Sequence, residues 1–167
     1  EQKKQEEPPK QEIDPDTGKD KYQTDPVPEG KPAPSEPQDT TVDQTTTYTC
    51  TISISCGTIL NNMDMCRENK KNYVPASGVI LSTTTVTFTE GETVYDVLQR
   101  VCRAQGIHME SNWTPAYNSA YIEGIGNLYE FDCGNLSGWM YSVNGVWPDY
   151  GCSSYTLHDG DTVVWSY

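Results

Sequence analysis

The strongest constraint on this fold is a predicted β-hairpin late in the chain, followed by a final strand. The pair Asn144-Gly145 favours a tight hairpin turn, because both turn residues must adopt positive φ. Before it, Trp139, Tyr141 and Val143 recur at every second position, which predicts a strand with one strongly apolar face. Residues 159–165, Asp-Gly-Asp-Thr-Val-Val-Trp, predict the final strand. The chain therefore ends in a sheet with a buried face.

Composition divides the chain into two parts. Residues 1–43 hold eight of the 11 prolines, no cysteine and a single aromatic residue, Tyr22. Such a segment buries too little apolar surface to offset the entropy lost on ordering. We predict that residues 1–45 are a disordered, proline-rich acidic linker and that one domain covers residues 46–167.

All six cysteines lie in the predicted domain. An even number in a compact, aromatic-rich domain favours disulfides and an extracellular location, either secreted or tethered to a cell surface. Cys133 precedes the hairpin and Cys152 follows it, so an antiparallel return brings them together and predicts a bridge. For the other cysteines a Cys56–Cys66 bridge and a buried free thiol at Cys102 remain open.

The charge distribution argues against several partner classes. The net charge is −13, and no Lys or Arg follows Arg103. Such a surface repels phosphate backbones and anionic membranes, so we expect no nucleic-acid partner. The sequence has no apolar run of membrane-spanning length. We expect the domain to be a monomer.

The remaining elements predict an α+β fold. In chain order they are strands over Thr47–Ser55 and Val79–Thr89, a helix from the cap Thr93 to the C-cap Gly106, a long connection over 107–128 and a short strand over Leu128–Asp132. One helix crossing a mixed sheet makes a small two-layer domain, and a β-grasp-like arrangement fits this order.

Three sequence blocks resemble those of a known family. They are Gly91–Leu98 (GETVYDVL), Ser137–Gly145 (SGWMYSVNG) and Asp159–Trp165 (DGDTVVW). They resemble a bacterial secreted or surface domain family of unassigned function, similar to the C-terminal β domain of transcobalamin and intrinsic factor. The resemblance covers residues 48–167 and implies an extracellular module. In the B12 carriers this domain closes over cobalamin held against a helical barrel, so a corrinoid site here implies a partner domain.

Candidate catalytic and metal-ligating residues are few. His108 and His158 have no Cys or His at metal-ligand spacing. Glu130 and Asp132 share one face of a predicted strand, as a pair of glycosidase carboxylates would. Two nearby acids are common in an acidic domain, so we expect no catalytic residue, no metal and no enzymatic activity.

The aromatic residues are the better candidates for a binding site. Flat rings beside Asn and Asp suit stacking on sugars, or contacts with a protein. The candidate ligand-binding residues are Trp113, Tyr117, Trp139, Tyr141, Trp147 and Tyr150. Trp139, Tyr141 and Trp165 equally fit a buried core, so the loop residues Trp113, Tyr117, Trp147 and Tyr150 are the stronger candidates for an exposed site.

Three functional classes follow. The first is a non-catalytic, surface-anchored binding or adhesion module for a surface glycan or protein. The second is a half-site for a corrinoid such as cobalamin, or another small ligand, completed by a partner domain. The third is a structural spacer without a ligand. Sharing a domain shape does not transfer a ligand, so the resemblance alone does not decide among them.

Overall fold

The computed structural model describes residues 11–20, 25–27, 46–116 and 118–167. Within the predicted linker, residues 14–19 form a turn in which the Gly18 amide donates to the Asp14 carbonyl over 2.8 Å. The disorder expected for residues 1–45 falls mostly outside the described residues and stays a prediction. The first strand begins at Thr47, close to the predicted start of the domain.

The domain contains seven strands and one α-helix among the described residues. They are β1 (Thr47–Ser55), β2 (Val79–Thr89), α1 (Val94–Gln105), β3 (Met109–Thr114), β4 (Ser119–Ile125), β5 (Leu128–Tyr129), β6 (Met140–Val143) and β7 (Thr162–Ser166). Short 3-10 helices cover Gly57–Asn61, Met63–Met65, Glu68–Tyr73 and Cys152–Ser154. The predicted α+β class with one main helix is confirmed.

The larger sheet has the strand order β2-β1-β7-β6. Strand β1 pairs antiparallel with β2 and parallel with β7, and β6 pairs antiparallel with β7. Ile52 and Ile54 alternate with Ser53 and Ser55 along β1, and both isoleucines are fully buried. This period-two pattern directs one face of the sheet into the core.

Helix α1 packs on this core through one apolar stripe, Val94, Val97, Leu98, Val101 and Cys102. Its N-terminus has a full capping box, because Thr93 accepts from the Asp96 amide and Asp96 accepts from the Thr93 amide. Its C-terminus ends at Gly106 with φ of +66°. The sequence predicted both ends of this helix.

The second sheet corrects one expectation. Residues 107–128 are not a long connection: they contain the antiparallel hairpin β3–β4, and β5 adds to β4 to give the order β3-β4-β5. Strand β3, Met-Glu-Ser-Asn-Trp-Thr, has no fully buried residue. Its sequence lacks the alternation of apolar and polar residues that predicts a strand. Pairing with the more buried β4 supplies the hydrogen bonds that hold it.

The predicted late hairpin is present but short. Asn144 and Gly145 have φ of +53° and +80°, as the turn requires. The returning strand is reduced to one bridge between Val143 and Val146. Among the described residues no helix is long and apolar enough to span a membrane.

The disulfide pairing also differs from expectation. Cys133 bonds to Cys66, and not to Cys152. The Arg67 amide donates to the Asp132 carbonyl over 2.9 Å, and this contact places the two bonded cysteines side by side. The expected Cys133–Cys152 bridge is wrong because residues 148–152 turn away to pack on β4. The other four cysteines, Cys50, Cys56, Cys102 and Cys152, are buried thiols.

Candidate functional site

A pocket of about 650 Å³ lies where the two sheets meet. It is lined by residues of β4, by residues of β6 and by residues 148–151, which we call the closing turn. Its aromatic lining is Tyr121, Trp139, Tyr141, Tyr150 and Trp165. Its polar lining includes Thr114, Ser119, Glu130, Asp149 and Ser154. The pocket lining therefore combines aromatic rings with hydroxyl and carboxylate groups.

Trp139 is fixed in this wall by its own hydrogen bond. The indole Nε1 donates to the Leu128 carbonyl over 2.8 Å, which ties the start of β6 to β5. The ring meets Tyr167 edge to face, with centroids 5.2 Å apart. A ring held by both contacts presents a preformed surface to a ligand.

Tyr141 holds the closing turn in place. Its hydroxyl donates to the Tyr150 carbonyl over 2.6 Å, and its ring lies tilted over Trp165 at 5.3 Å. Burial, with smaller contributions from neighbouring groups, raises the pKa of Tyr141 well above its usual value. The hydroxyl therefore stays protonated and keeps donating to the turn.

Tyr150 lies in the closing turn and lines the pocket. Its ring stacks on Tyr155, with centroids 5.9 Å apart and an interplanar angle of 14°. Burial, then Tyr155, then the Asp20 carboxylate raise the pKa of Tyr150. Asp20 is itself buried.

Gly151 allows the closing turn to approach β4. A Cβ at this position would lie 2.4 Å from the Ser119 Oγ and 2.6 Å from the Ser119 Cβ. No other residue fits without moving the turn or the strand. Next to this contact, the Ala120 amide donates a hydrogen bond to the Ser153 hydroxyl over 2.9 Å.

The pocket lining also includes a tyrosine that is bonded to a carboxylate. The Tyr121 hydroxyl donates to the Glu130 carboxylate. Partial burial, followed by the hydrogen bond and charge of Glu130, raises the pKa of Tyr121 to about 12. Tyr121 is 44% exposed, so its ring is accessible from solvent.

Trp165 in the pocket wall has an unpaired donor. The side chain is 2% exposed, and its indole Nε1 has no hydrogen-bond partner in the described part of the chain. Trp139 differs, since its indole N–H is satisfied by a backbone carbonyl. Buried donors are normally paired, so the Trp165 N–H is an exception among the buried polar groups of the described residues.

The predicted site residues separate into two groups. Trp139, Tyr141 and Tyr150 line the pocket. Trp113 and Trp147 are 54% and 48% exposed and do not line it, and Trp113 lies in β3 and not in the predicted loop. Tyr117 lies outside the described residues. Sequence reasoning missed Tyr121 and Trp165 as site residues, because no local pattern distinguishes a pocket wall from a core or an outer face.

The paired-carboxylate arrangement does not form. Asp132 is buried and lies 3.4 Å from the Lys70 Nζ and 3.8 Å from the Arg67 Nε, whereas Glu130 faces Tyr121. Asp132 also accepts from the Tyr129 amide over 2.9 Å. Its role is to anchor the segment before the disulfide. Within the described ranges no group of His, Cys, Asp and Glu has a metal-binding arrangement.

Comparison with known proteins adds a family match and one structural likeness. Residues 91–167 match the family described as Domain of unknown function (DUF4430), and all three sequence blocks lie in that range. No curated protein matches the sequence. The structure is similar to that of haptocorrin in complex with Cbi, with 18% identity and a TM-score of 0.42. That likeness covers 76% of this chain and 26% of the haptocorrin chain, so the chain spans about a quarter of it.

The family match bears on the resemblance that was drawn from the three sequence blocks. The family model matches residues 91–167, which is less than half of the chain, and so supports a similarity to a domain family of unassigned function over that range alone. The origin of that family on bacterial surfaces stays a prediction.

Proposed function

We propose that this domain is a non-catalytic binding module whose ligand occupies the pocket between β4 and β6. The observation that carries the proposal is the pair of rings fixed in advance, Trp139 by the Leu128 carbonyl and Tyr141 by the Tyr150 carbonyl. Fixed aromatic walls with a few polar groups are the usual composition of a ligand pocket. They reduce the entropy lost on binding.

The polar groups of the pocket favour binding over catalysis. The Glu130 carboxylate is engaged by Tyr121, and Asp149 lies exposed on the closing turn. The Cys152 thiol is buried, and that burial raises its pKa, which suppresses the nucleophilic thiolate. None of these three groups is paired with a base among the described residues. Recognition by aromatic and polar contacts fits this set better than bond cleavage.

The proposed location is outside the cell, with the N-terminal segment as a tether. The Cys66–Cys133 disulfide supports an oxidising compartment. The proline-rich composition of residues 1–45 suits a spacer that holds the binding domain away from its anchor. In this proposal the ligand is a surface glycan or a protein displayed nearby.

A corrinoid half-site completed by a partner domain is the second candidate. The observation that favours it is the exposed rim, where Met140 is 59% and Tyr121 44% exposed. A rim of exposed apolar side chains around a pocket suits a second protein that covers the ligand. In this case the isolated chain binds cobalamin weakly, and the partner supplies the remaining contacts.

The experiment compares two aromatic residues of similar exposure. Tyr121→Ala removes a ring from the pocket rim, and Trp113→Ala removes one from β3 outside the pocket. Binding of the full chain to a glycan panel and to cobalamin is measured by calorimetry. We expect Tyr121→Ala to weaken binding about tenfold or more, roughly 1.4 kcal/mol, and Trp113→Ala to leave it unchanged.

The reverse result has a clear meaning. Loss of binding in Trp113→Ala or Trp147→Ala, with Tyr121→Ala unaffected, would place recognition on the outer aromatics and contradict the pocket. A well-folded chain that binds neither the glycans nor cobalamin would support the spacer function.

A further inference from the structure

We propose that two copies of this chain pair along the open edge of the larger sheet, with β2 of one copy antiparallel to β2 of the other. This edge is not part of the pocket, so the pairing goes beyond the proposed function. Three features of β2 support it: backbone groups that face away from β1, the absence of charge along the strand, and a self-complementary pattern of donors and acceptors.

The pairing of β1 shows which backbone groups of β2 face outward. Strand β1 lies between β2 and β7, and a strand directs the N–H and C=O of successive residues to opposite sides. The Thr51 amide donates over 2.9 Å to the carbonyl of the residue just before β7. Its neighbour Cys50 therefore faces β2, where it lies opposite Val86. By the same alternation along β2, Thr85 and Thr87 face the outer edge.

Two side-chain contacts agree with this direction and close one end of the edge. The Arg100 guanidinium donates to the Thr87 carbonyl over 2.6 Å, and the Glu92 carboxylate accepts from the Thr89 amide over 2.7 Å. Arg100 and Glu92 also pair with each other. Among the described residues, the outward N–H and C=O of Thr85 and the N–H of Thr87 have no partner strand.

The middle of this edge lacks the usual protection. Natural sheets protect exposed edges with charged side chains, proline or bulges. In β2 the register shifts after Leu81, and the ion pair described above covers the other end. Between these points Thr83, Thr85 and Thr87 are exposed, and no residue of Val79–Thr89 is charged or a proline. Such an edge pairs readily with another extended strand.

A second copy of β2 fits this edge. The net charge of −13 makes most contacts between two copies repulsive, whereas no residue from Asn72 to Thr89 is charged. A two-fold axis at Thr85 places the N–H of each Thr85 opposite the C=O of the other, so the free groups satisfy one another. The exposed Thr85 side chains then form a cross-strand pair, and Thr–Thr pairs stabilise a sheet.

The pairing leaves both pockets free. In the order β2-β1-β7-β6, the pocket residues Met140 and Tyr141 lie on β6, at the opposite edge from β2. Two four-stranded sheets joined at β2 form one continuous sheet with a pocket near each end. Two pockets on one particle hold a repeated ligand, such as a polymer on a cell surface, more tightly than one pocket does.

The test measures the oligomeric state of the full chain by sedimentation velocity, from micromolar to millimolar concentration. Few hydrogen bonds hold the contact, so we expect a monomer at the lower end and a reversible dimer at the upper end. Amide hydrogen exchange locates the contact. The Thr85 and Thr87 amides should become protected only in the dimer, whereas the Thr84 and Val86 amides face β1 and should be protected throughout.

Two variants of one residue test the geometry. Thr85→Pro removes an outward N–H and spares the bonds to β1, because edge strands accept proline where the N–H faces solvent. Thr85→Lys keeps the N–H and places like charges opposite each other across the two-fold axis. Each should weaken dimerisation about tenfold or more, and the matched control Thr85→Ser should leave it unchanged. If Thr85→Pro does not fold, Thr85→Lys decides.

Several outcomes contradict the pairing. A chain that stays monomeric at millimolar concentration does so, as does a dimer that persists in both Thr85→Pro and Thr85→Lys. Dimerisation that is lost in Thr85→Pro but kept in Thr85→Lys contradicts the two-fold axis at Thr85. Protection of the Thr85 amide at micromolar concentration would assign the edge to another segment of the same chain. None of these results bears on the pocket, which the Tyr121 and Trp113 variants test separately.

Discussion

The larger sheet with its helix and the smaller sheet β3–β4–β5 differ in how their residues are used. In the larger sheet the apolar positions of β1 and α1 are almost all inaccessible, with Ile52, Ile54 and Leu98 fully buried. In the smaller sheet the outer strand β3 has no fully buried residue, and β4 carries the half-exposed Tyr121. The buried residues Ile122, Ile125 and Leu128 of the smaller sheet join the same core, and the junction of the two sheets forms the pocket. Variants of buried residues should therefore change stability, whereas variants of the half-exposed rings of the smaller sheet should change recognition.

The disulfide should have the largest effect, because it ties a segment between β1 and β2 to the residues after β5. Cys66 and Cys133 are 67 residues apart. In the chain-entropy model closure of a loop of that size stabilises the fold by about 4 kcal/mol. Cys66→Ser with Cys133→Ser should lower the free energy of unfolding by that order, as measured by urea denaturation.

Peptide mapping without reduction tests the pairing itself. The structure predicts a linked fragment that contains Cys66 and Cys133, and a Cys152 that is alkylated only after unfolding. A fragment that links Cys133 to Cys152 would show that the pairing expected from the sequence is right.

The helix stripe should come next. Leu98 in α1 is fully buried against the larger sheet, and truncation there leaves a cavity. We expect Leu98→Ala to cost about 3 kcal/mol of unfolding free energy. Arg103→Ala on the exposed face of the same helix is the control, with a change within about 0.5 kcal/mol. Equal effects of the two variants would contradict the assignment of stability to this core.

The contact between the closing turn and β4 predicts an intermediate effect. In Gly151→Ala the new methyl group clashes with Ser119, so we expect a loss of about 1–3 kcal/mol in stability and weaker binding in the pocket. Ser119→Gly in the same chain should recover part of both losses. Gly138→Ala is the control, because a Cβ there meets Glu130 only at 3.6 Å. A Gly151→Ala chain with unchanged stability and affinity would mean that the turn moves freely.

The buried thiols of the larger sheet and the helix should make the free energy of unfolding depend on pH, with a smaller effect than the changes above. Burial raises the pKa of Cys50 and of Cys102 from 9.0 to about 11. The unfolded chain ionises these thiols first, so unfolding releases protons above pH 9. Stability is fully present below about pH 9 and declines as the pH rises through about 11. Denaturation curves across this range should show the decline, and it should flatten in Cys50→Ala with Cys102→Ala.

The larger sheet and helix were predictable because their signals are local. Apolar alternation marks β1, and Thr93 with Asp96 marks the start of α1. Strand β3 was missed because its polar sequence gains strand structure only by pairing with β4. The Cys66–Cys133 bridge depends on a backbone contact between distant segments, which no spacing rule supplies.

The candidate site was predictable only in part, for the same reason. Trp139, Tyr141 and Tyr150 lie near the hairpin, and their aromatic clustering was visible in the sequence. Tyr121 and Trp165 join them only because the two sheets meet. The unpaired Trp165 donor is a property of the packed structure, and composition gives no sign of it.

The most direct test of a binding pocket at the junction of the two sheets is to follow the backbone amide chemical shifts while the chain is titrated with a neutral sugar or with cobalamin. These shifts report on both sheets at once. We predict that the shifted amides cluster at Ser119–Ile122 of β4, at Met140 and Tyr141 of β6, and at residues 149–151 of the closing turn. The amides of β1 and β2 should stay in place. Shifts confined to β3 around Trp113 and to the exposed Trp147, with the amides of β4 and β6 unchanged, would contradict a pocket at the junction of the two sheets.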